Sequence, residues 1–137
     1  MSSTFPFKKE YSPLFGMIHR PIAEVSFRHK TQDIWQPVTM IVDTGADYTL
    51  LPRFLASPLG IDLKRDCTVL ETQGVGGSTK VYLLKKPTLI KLGVFELEIP
   101  LGIIASSFVP PLLGRHLFLE RFKVTFDHHA VTFDSLR

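Results

Sequence analysis

Three stretches of the chain carry residue types that could do chemistry. In the first, an apolar run from Val38 to Val42 leads into Asp43-Thr44-Gly45-Ala46-Asp47. The Asp43 carboxylate leaves a strand and enters a tight loop, where backbone N–H groups and the Thr44 hydroxyl can orient it. An oriented carboxylate is equipped to take or give a proton. Asp and Gly also close strands in Asx-type turns, so the motif alone leaves both readings open. In the second, Thr72-Gln73-Gly74-Val75-Gly76-Gly77-Ser78-Thr79 sets a glycine-rich tip between two strand-like arms, Cys67–Thr72 and Thr79–Leu84. A phosphate-cradling loop needs a helix and a Gly-Lys-Ser/Thr ending after its glycines. Ser78 to Leu84 reads instead as a strand, so the segment is expected to be a mobile hairpin. The third stretch, Pro111-Leu112-Leu113-Gly114-Arg115, is by itself an ordinary core strand running into a helix.

The elements that must position these groups are mostly strands. Ile22 to Arg28 alternates, with Ala23, Val25 and Phe27 set against Glu24, Ser26 and Arg28, the pattern of a half-buried strand. Val38 to Val42 reads as a strand buried on both faces. Leu89–Leu92 and Val94–Ile99 form two more around Gly93, and Phe122–Phe126 and Ala130–Phe133 flank a turn at Asp127-His128-His129. Short helices are expected at Arg53–Leu59, after Pro52 and before Gly60, and at Gly114–Phe122. Met1 to Pro13 has no clear period and reads as an arm, giving an N-terminal arm over 1–16 and one domain over 17–137. The sum is an all-β domain, a closed barrel or sandwich.

In order and spacing, Asp43-Thr44-Gly45-Ala46-Asp47, Gly74-Val75-Gly76-Gly77 and Leu112-Leu113-Gly114-Arg115 resemble the retropepsin-like aspartic proteases. Arg20-Pro21-Ile22 also looks like the start of the retroviral enzymes, and the resemblance runs from Arg20 to Phe133. It implies a single-lobe acid-protease barrel with a flap hairpin and one or two short helices, acting as an aspartic endopeptidase. Hydrolysis by this route needs two carboxylates sharing one proton, because like charges at short range cannot both ionise. The ionised member takes a proton from water and the protonated member donates to the scissile carbonyl. The chain has one Asp-Thr-Gly; Asp134-Ser135-Leu136 lacks the glycine, and Asp47 belongs to the same loop. The second carboxylate must therefore come from another copy, as a two-fold homodimer allows.

By the same resemblance, Asp43 is catalytic, and Thr44 and Gly45 hold the dyad rigid. Ala46, Asp47, Tyr48 and Leu112 line the cleft, and Gly74, Val75 and Gly76 offer the flap backbone to an extended peptide. Arg115 pairs with Asp47 and reaches toward Arg20 across the dimer, and Gly114 is structural. The segment Pro52–Asp66 is an insertion relative to the viral enzymes, and the chain after Arg115 is longer than theirs. A rival reading is a catalytically silent module of the same fold that dimerises or binds peptides; intact Thr44 and Gly45 argue against it.

Composition sets the remaining bounds. Of 137 residues, 45% are hydrophobic and 21% charged, which fits one globular domain. The net charge of +3 is scattered over isolated pairs (Lys8-Lys9, Lys64-Arg65, Lys85-Lys86), not gathered into a nucleic-acid stripe. The single cysteine, Cys67, excludes an internal disulfide and reads as a small buried hydrophobe. His128 and His129 are adjacent and cannot chelate together from a strand, and no metal or organic cofactor is expected. The longest uncharged stretch, Ile99–Gly114, falls short of the ~20 residues a spanning helix needs. With no signal-like N-terminus and no disulfide, the expected compartment is the cytoplasm, with no membrane partner.

Overall fold

Fourteen strands appear in the computed structural model, which describes residues 1–74 and 77–136. In chain order they are β1 (Ser2–Pro6), β2 (Lys8–Ser12), β3 (Gly16–Arg20), β4 (Ile22–Arg28), β5 (Trp35–Val42), β6 (Leu50–Pro52) and β7 (Cys67–Gly74). There follow β8 (Gly77–Leu84), β9 (Thr88–Leu92), β10 (Phe95–Ile99), β11 (Gly102–Ile104), β12 (Leu112–Leu113), β13 (Phe122–Asp127) and β14 (Ala130–Ser135). Nine of them form one sheet in the order β10-β9-β4-β5-β12-β6-β11-β8-β7. The all-β, single-lobe reading holds: this sheet curls as a half-barrel, with β10 and β7 as its ends. No helix among the described residues is long and apolar enough to cross a membrane.

Alternation explains the inner face. Ala23, Val25 and Phe27 of β4 are buried, as expected. On β5, Val38, Met40 and Val42 are buried, whereas Thr39 is exposed and Ile41 half-buried. The strand is thus one-sided, not buried on both faces, and its outer face carries the residues that lead to Asp43. Phe27, Met40, Leu51, Ile90, Ile103 and Leu113 are among the fully buried side chains; burying each large apolar group contributes about 1.5–3 kcal/mol.

The expected helices are tighter and shorter than the sequence suggests. Arg53–Leu55 and Ser57–Leu59 are separate 3-10 turns, closed by Gly60 at φ 72°. Pro58 brings no N–H to an α-helical ladder, which is why the two turns do not merge. Gly114–Phe122 holds one 3-10 turn, Leu119–Arg121, because Leu117 sits at φ 53° and a left-handed residue cannot continue a right-handed helix.

The first sixteen residues do not stand apart as an arm. β1 pairs with β14 from Ser2↔Asp134 to Pro6↔Ala130, in a three-stranded sheet with β13. Ser3 is buried and its Oγ accepts from Val94 N at 3.0 Å. Phe5 meets Phe133 edge-on at 5.9 Å. β2 and β3 form a two-stranded ribbon, so a boundary at 16/17 falls inside a paired hairpin. The ribbon leans on the turn after β13, where the His19 and His129 rings stack at 3.8 Å. Both turn histidines, His128 and His129, have positive φ.

Candidate active site

The loop that carries Asp43 is tied down by backbone. Leu112 and Leu113 of β12 run parallel to Ile41 and Val42, and Asp43 N donates to Leu113 O at 3.0 Å. Val42 N donates to Pro21 O at 3.0 Å, which fixes the other side of the strand. Past the strand end the chain turns: Ala46 N donates to Asp43 O at 3.1 Å, and Gly45 N donates to the Asp43 carboxylate Oδ1 at 3.0 Å. That last bond orients the carboxyl group. Asp43 is partly buried, while Thr44 and Gly45 are exposed.

A second set of bonds locks the loop to the segment after β12. Arg115 N donates to Ala46 O at 2.9 Å and His116 N to Asp47 O at 2.8 Å. The Arg115 guanidinium pairs with the Asp47 carboxylate. Gly114 N donates to the Thr49 hydroxyl at 3.1 Å, and Thr49 is 1% exposed. Gly114 must be glycine: a Cβ there would stand 2.3 Å from the backbone oxygen of Tyr48. Gly45 differs, since a Cβ there would meet only Asp43 Oδ1, at 3.4 Å.

The structure therefore gathers Asp43, Thr44, Gly45, Ala46, Asp47, Tyr48, Leu112, Gly114 and Arg115 in one loop-and-strand unit. Leu112 is half-buried opposite Leu50. Tyr48 faces His116 edge-on at 6.0 Å, and these two with Asp47, Arg115 and Glu120 line a pocket of about 230 Å³. Arg20 is placed differently: its Nε donates to Glu10 Oε2 at 3.1 Å. Lys8, then Arg20, hold the Glu10 carboxyl below its ordinary value, against partial desolvation. Gly74 ends β7, paired with Gly77 of β8, in an antiparallel hairpin at the end of the large sheet. Strands on both sides of the glycines leave no strand–helix frame for a phosphate loop. Val75 and Gly76 lie outside the described residues.

Thr49 and the Pro21 carbonyl are the positioning groups that sequence reasoning missed. A threonine beside a buried strand is a weak signal, and a main-chain carbonyl gives none. Among the described residues no group of three or more His, Cys, Asp or Glu side chains is placed to hold a metal ion. Cys67 is buried, and desolvation, with Asp66 next, pushes its thiol up.

Residues 35–121 match the model of the family described as "gag-polyprotein putative aspartyl protease". The chain belongs to the retropepsin-like aspartic protease family. A retropepsin-like aspartic protease from Rickettsia conorii shares the fold at a TM-score of 0.65, with 19% identity over 95% of this chain and 98% of that one. The EIAV protease complexed with the inhibitor HBY-793 shares it at 0.52, with 23% identity over 70% of this chain and 82% of that one. A comparison with curated protein sequences finds no match. The family match spans the Asp43 loop and β12 and leaves out β1–β4.

Proposed function

We propose that the chain is an aspartic endopeptidase that works as a homodimer, one Asp43 from each subunit activating a water between them. The observation that carries this reading is the state of the Asp43 loop. Its carboxylate is fixed by a backbone N–H, its tip is exposed, and the other candidate aspartates, Asp47 and Asp134, are engaged elsewhere. Asp47 is committed to Arg115. Asp134 lies on β14, opposite Ser2 and Lys123 in a different sheet. Gly45 points the same way. Gly114 is required by contacts inside the chain, but among the described residues a Cβ built at Gly45 meets only Asp43 Oδ1, at 3.4 Å. The space there is room for an approaching partner or peptide.

In the dimer the two Asp43 carboxyls share one proton and titrate as a pair. The ionised one takes a proton from water as its oxygen attacks the peptide carbonyl carbon. The other donates its proton to the carbonyl oxygen, giving a neutral gem-diol. Return of a proton to the amide nitrogen, with collapse of the diol, breaks the C–N bond and restores the shared proton. The peptide lies extended between the Asp43 loop and the β7–β8 hairpin, which supplies strand-like hydrogen bonds from around Gly74, Val75 and Gly76. Asp47, held by Arg115, offers its carboxylate to the substrate backbone, and Tyr48 and Leu112 line the cleft.

A peptide library incubated with the protein from acid to neutral pH tests the reading. Endoproteolytic cuts that Asp43→Asn loses, with the variant still dimeric by sedimentation, are expected. Equal cutting by the variant overturns the mechanism.

A further inference from the structure

A pocket of about 490 Å³ is built in part on β5, the strand that leads to Asp43. Its apolar floor is Ile22, Ile41, Pro110 and Pro111. Ile41 stands on β5 next to its last residue, Val42, and Asp43 follows directly. Val38, Met40 and Val42 take the buried face, which leaves the Ile41 face open to a ligand. The floor is knitted together: Ile22 lies opposite Ile41, and Ile41 N donates to Pro111 O at 2.9 Å.

The wall of this pocket comes from outside the family-matched segment. Lys8 and Glu10 of β2 and Arg20 of β3 supply it, in a ribbon that belongs to neither larger sheet. Lys8 Nζ lies 3.3 Å from Glu10 Oε1, and Arg20 Nε lies 3.1 Å from Glu10 Oε2. One carboxylate thus faces two cations. The terminal guanidinium nitrogens of Arg20 make no hydrogen bond to another described residue, and a planar guanidinium is well shaped for a carboxylate.

We propose that the β2–β3 ribbon is a specificity element, whose Lys8 and Arg20 select an acidic residue in the bound peptide while the Ile22–Ile41–Pro110–Pro111 floor takes an apolar one. The two peptide residues are separated by one, because alternate side chains of an extended chain point to the same side, about 7 Å apart. The inference rests on the peptidase reading for its ligand and adds the sequence class, apolar-x-acidic in either direction. Glu10 sets the balance: it orients both cations and takes up part of their charge.

The test is binding, so that it does not depend on turnover. Fluorescent extended peptides with a central Phe, and Glu, Gln or Lys two residues to either side, are titrated into the Asp43→Asn dimer at low salt. The Glu peptide on one side is expected to bind about three- to tenfold tighter than the Lys peptide. Lys8→Glu in that background should invert the order, and Glu10→Gln should widen it. Opposite shifts from two neighbouring substitutions separate a charge effect from simple loosening of the ribbon. Equal binding of all three peptides, or the same shift from both variants, overturns the proposal. Charge-selective binding by a wild-type protein that cuts none of these peptides keeps the pocket and overturns the peptidase reading instead.

Discussion

Two aspartates of this chain, Asp43 and Asp66, meet opposite treatment. Asp66 is 6% exposed and surrounded by donors: Lys30 Nζ at 2.8 Å, Arg65 Nε at 3.1 Å and Asp62 N at 2.8 Å. Arg65 first, then Lys30 and the Asp62 amide, hold its carboxyl far below the usual carboxylate range. Asp43 has one backbone N–H on its carboxylate and no ion pair among the described residues. Asp66 serves the fold by staying ionised inside its loop. Asp43 is oriented without being neutralised, which is what a group that must exchange a proton requires. A buried, fully partnered carboxylate is the sign of structure, and a half-exposed one with a rigid backbone frame is the sign of chemistry.

Substitution at each site should separate the two roles. The largest effect is on turnover: Asp43→Asn is expected to lower peptide cleavage by about 10²–10⁴-fold, the usual range for a lost acid–base group, with little change in Tm by calorimetry. Asp66→Asn should do the reverse, lowering Tm at neutral pH while cleavage per folded dimer persists. The sign with pH follows from the direction of the Asp66 shift. Its folded carboxyl is far more acidic than the ordinary 3.8, so its contribution is complete above that value and is lost as pH falls below it. The gap in Tm between wild type and Asp66→Asn should therefore close on acidification from about pH 4 downward. A gap that is constant with pH would mean that charge is not what Asp66 contributes.

A smaller effect tests the frame of Asp43 and not its carboxyl. Thr49→Val keeps the shape but leaves the buried Gly114 N–H without its acceptor, at a cost of about 1–3 kcal/mol in a denaturant melt. The smallest concerns the stacked His19 and His129. Burial first, then His129 and Lys9, push the His19 imidazole down from its ordinary 6.5. The folded state therefore loses stability as pH falls below that value, and between pH 8 and 5.5 the wild-type Tm should fall more than that of His19→Phe. Lys8, Glu10 and Arg20 of the ribbon and Lys123, Asp127 and Asp134 of β13 and β14 carry the other charges on the packed elements, and none of them changes in this variant.

What the sequence disclosed was local. Asp43–Asp47 and Leu112–Arg115 could be read because a strand end, a carboxylate and a glycine stand next to each other in the chain. The alternation of β4 was legible for the same reason. Features set by distant partners were not. β1 finds β14 some 130 residues away, and its inward positions, buried Ser3 and half-buried Phe5, do not read as an apolar alternation because Ser3 is polar. The ribbon β2–β3 mixes Lys, Glu, Tyr, His and Arg, so nothing marked it as a strand pair. Leu117 adopts a positive φ that leucine rarely takes, which ended a helix that its neighbours suggested. Thr49 became informative only when Gly114 was seen to donate to it.

Mixing subunits tests the central claim most directly. Wild-type and Asp43→Asn chains are unfolded together, refolded at fixed total concentration and assayed on one peptide. If each dimer needs an Asp43 from both subunits, activity follows the square of the wild-type fraction, about one quarter at equal mixing for random two-fold pairing. A linear fall, to about one half, would mean that one subunit carries the chemistry alone and would contradict the account.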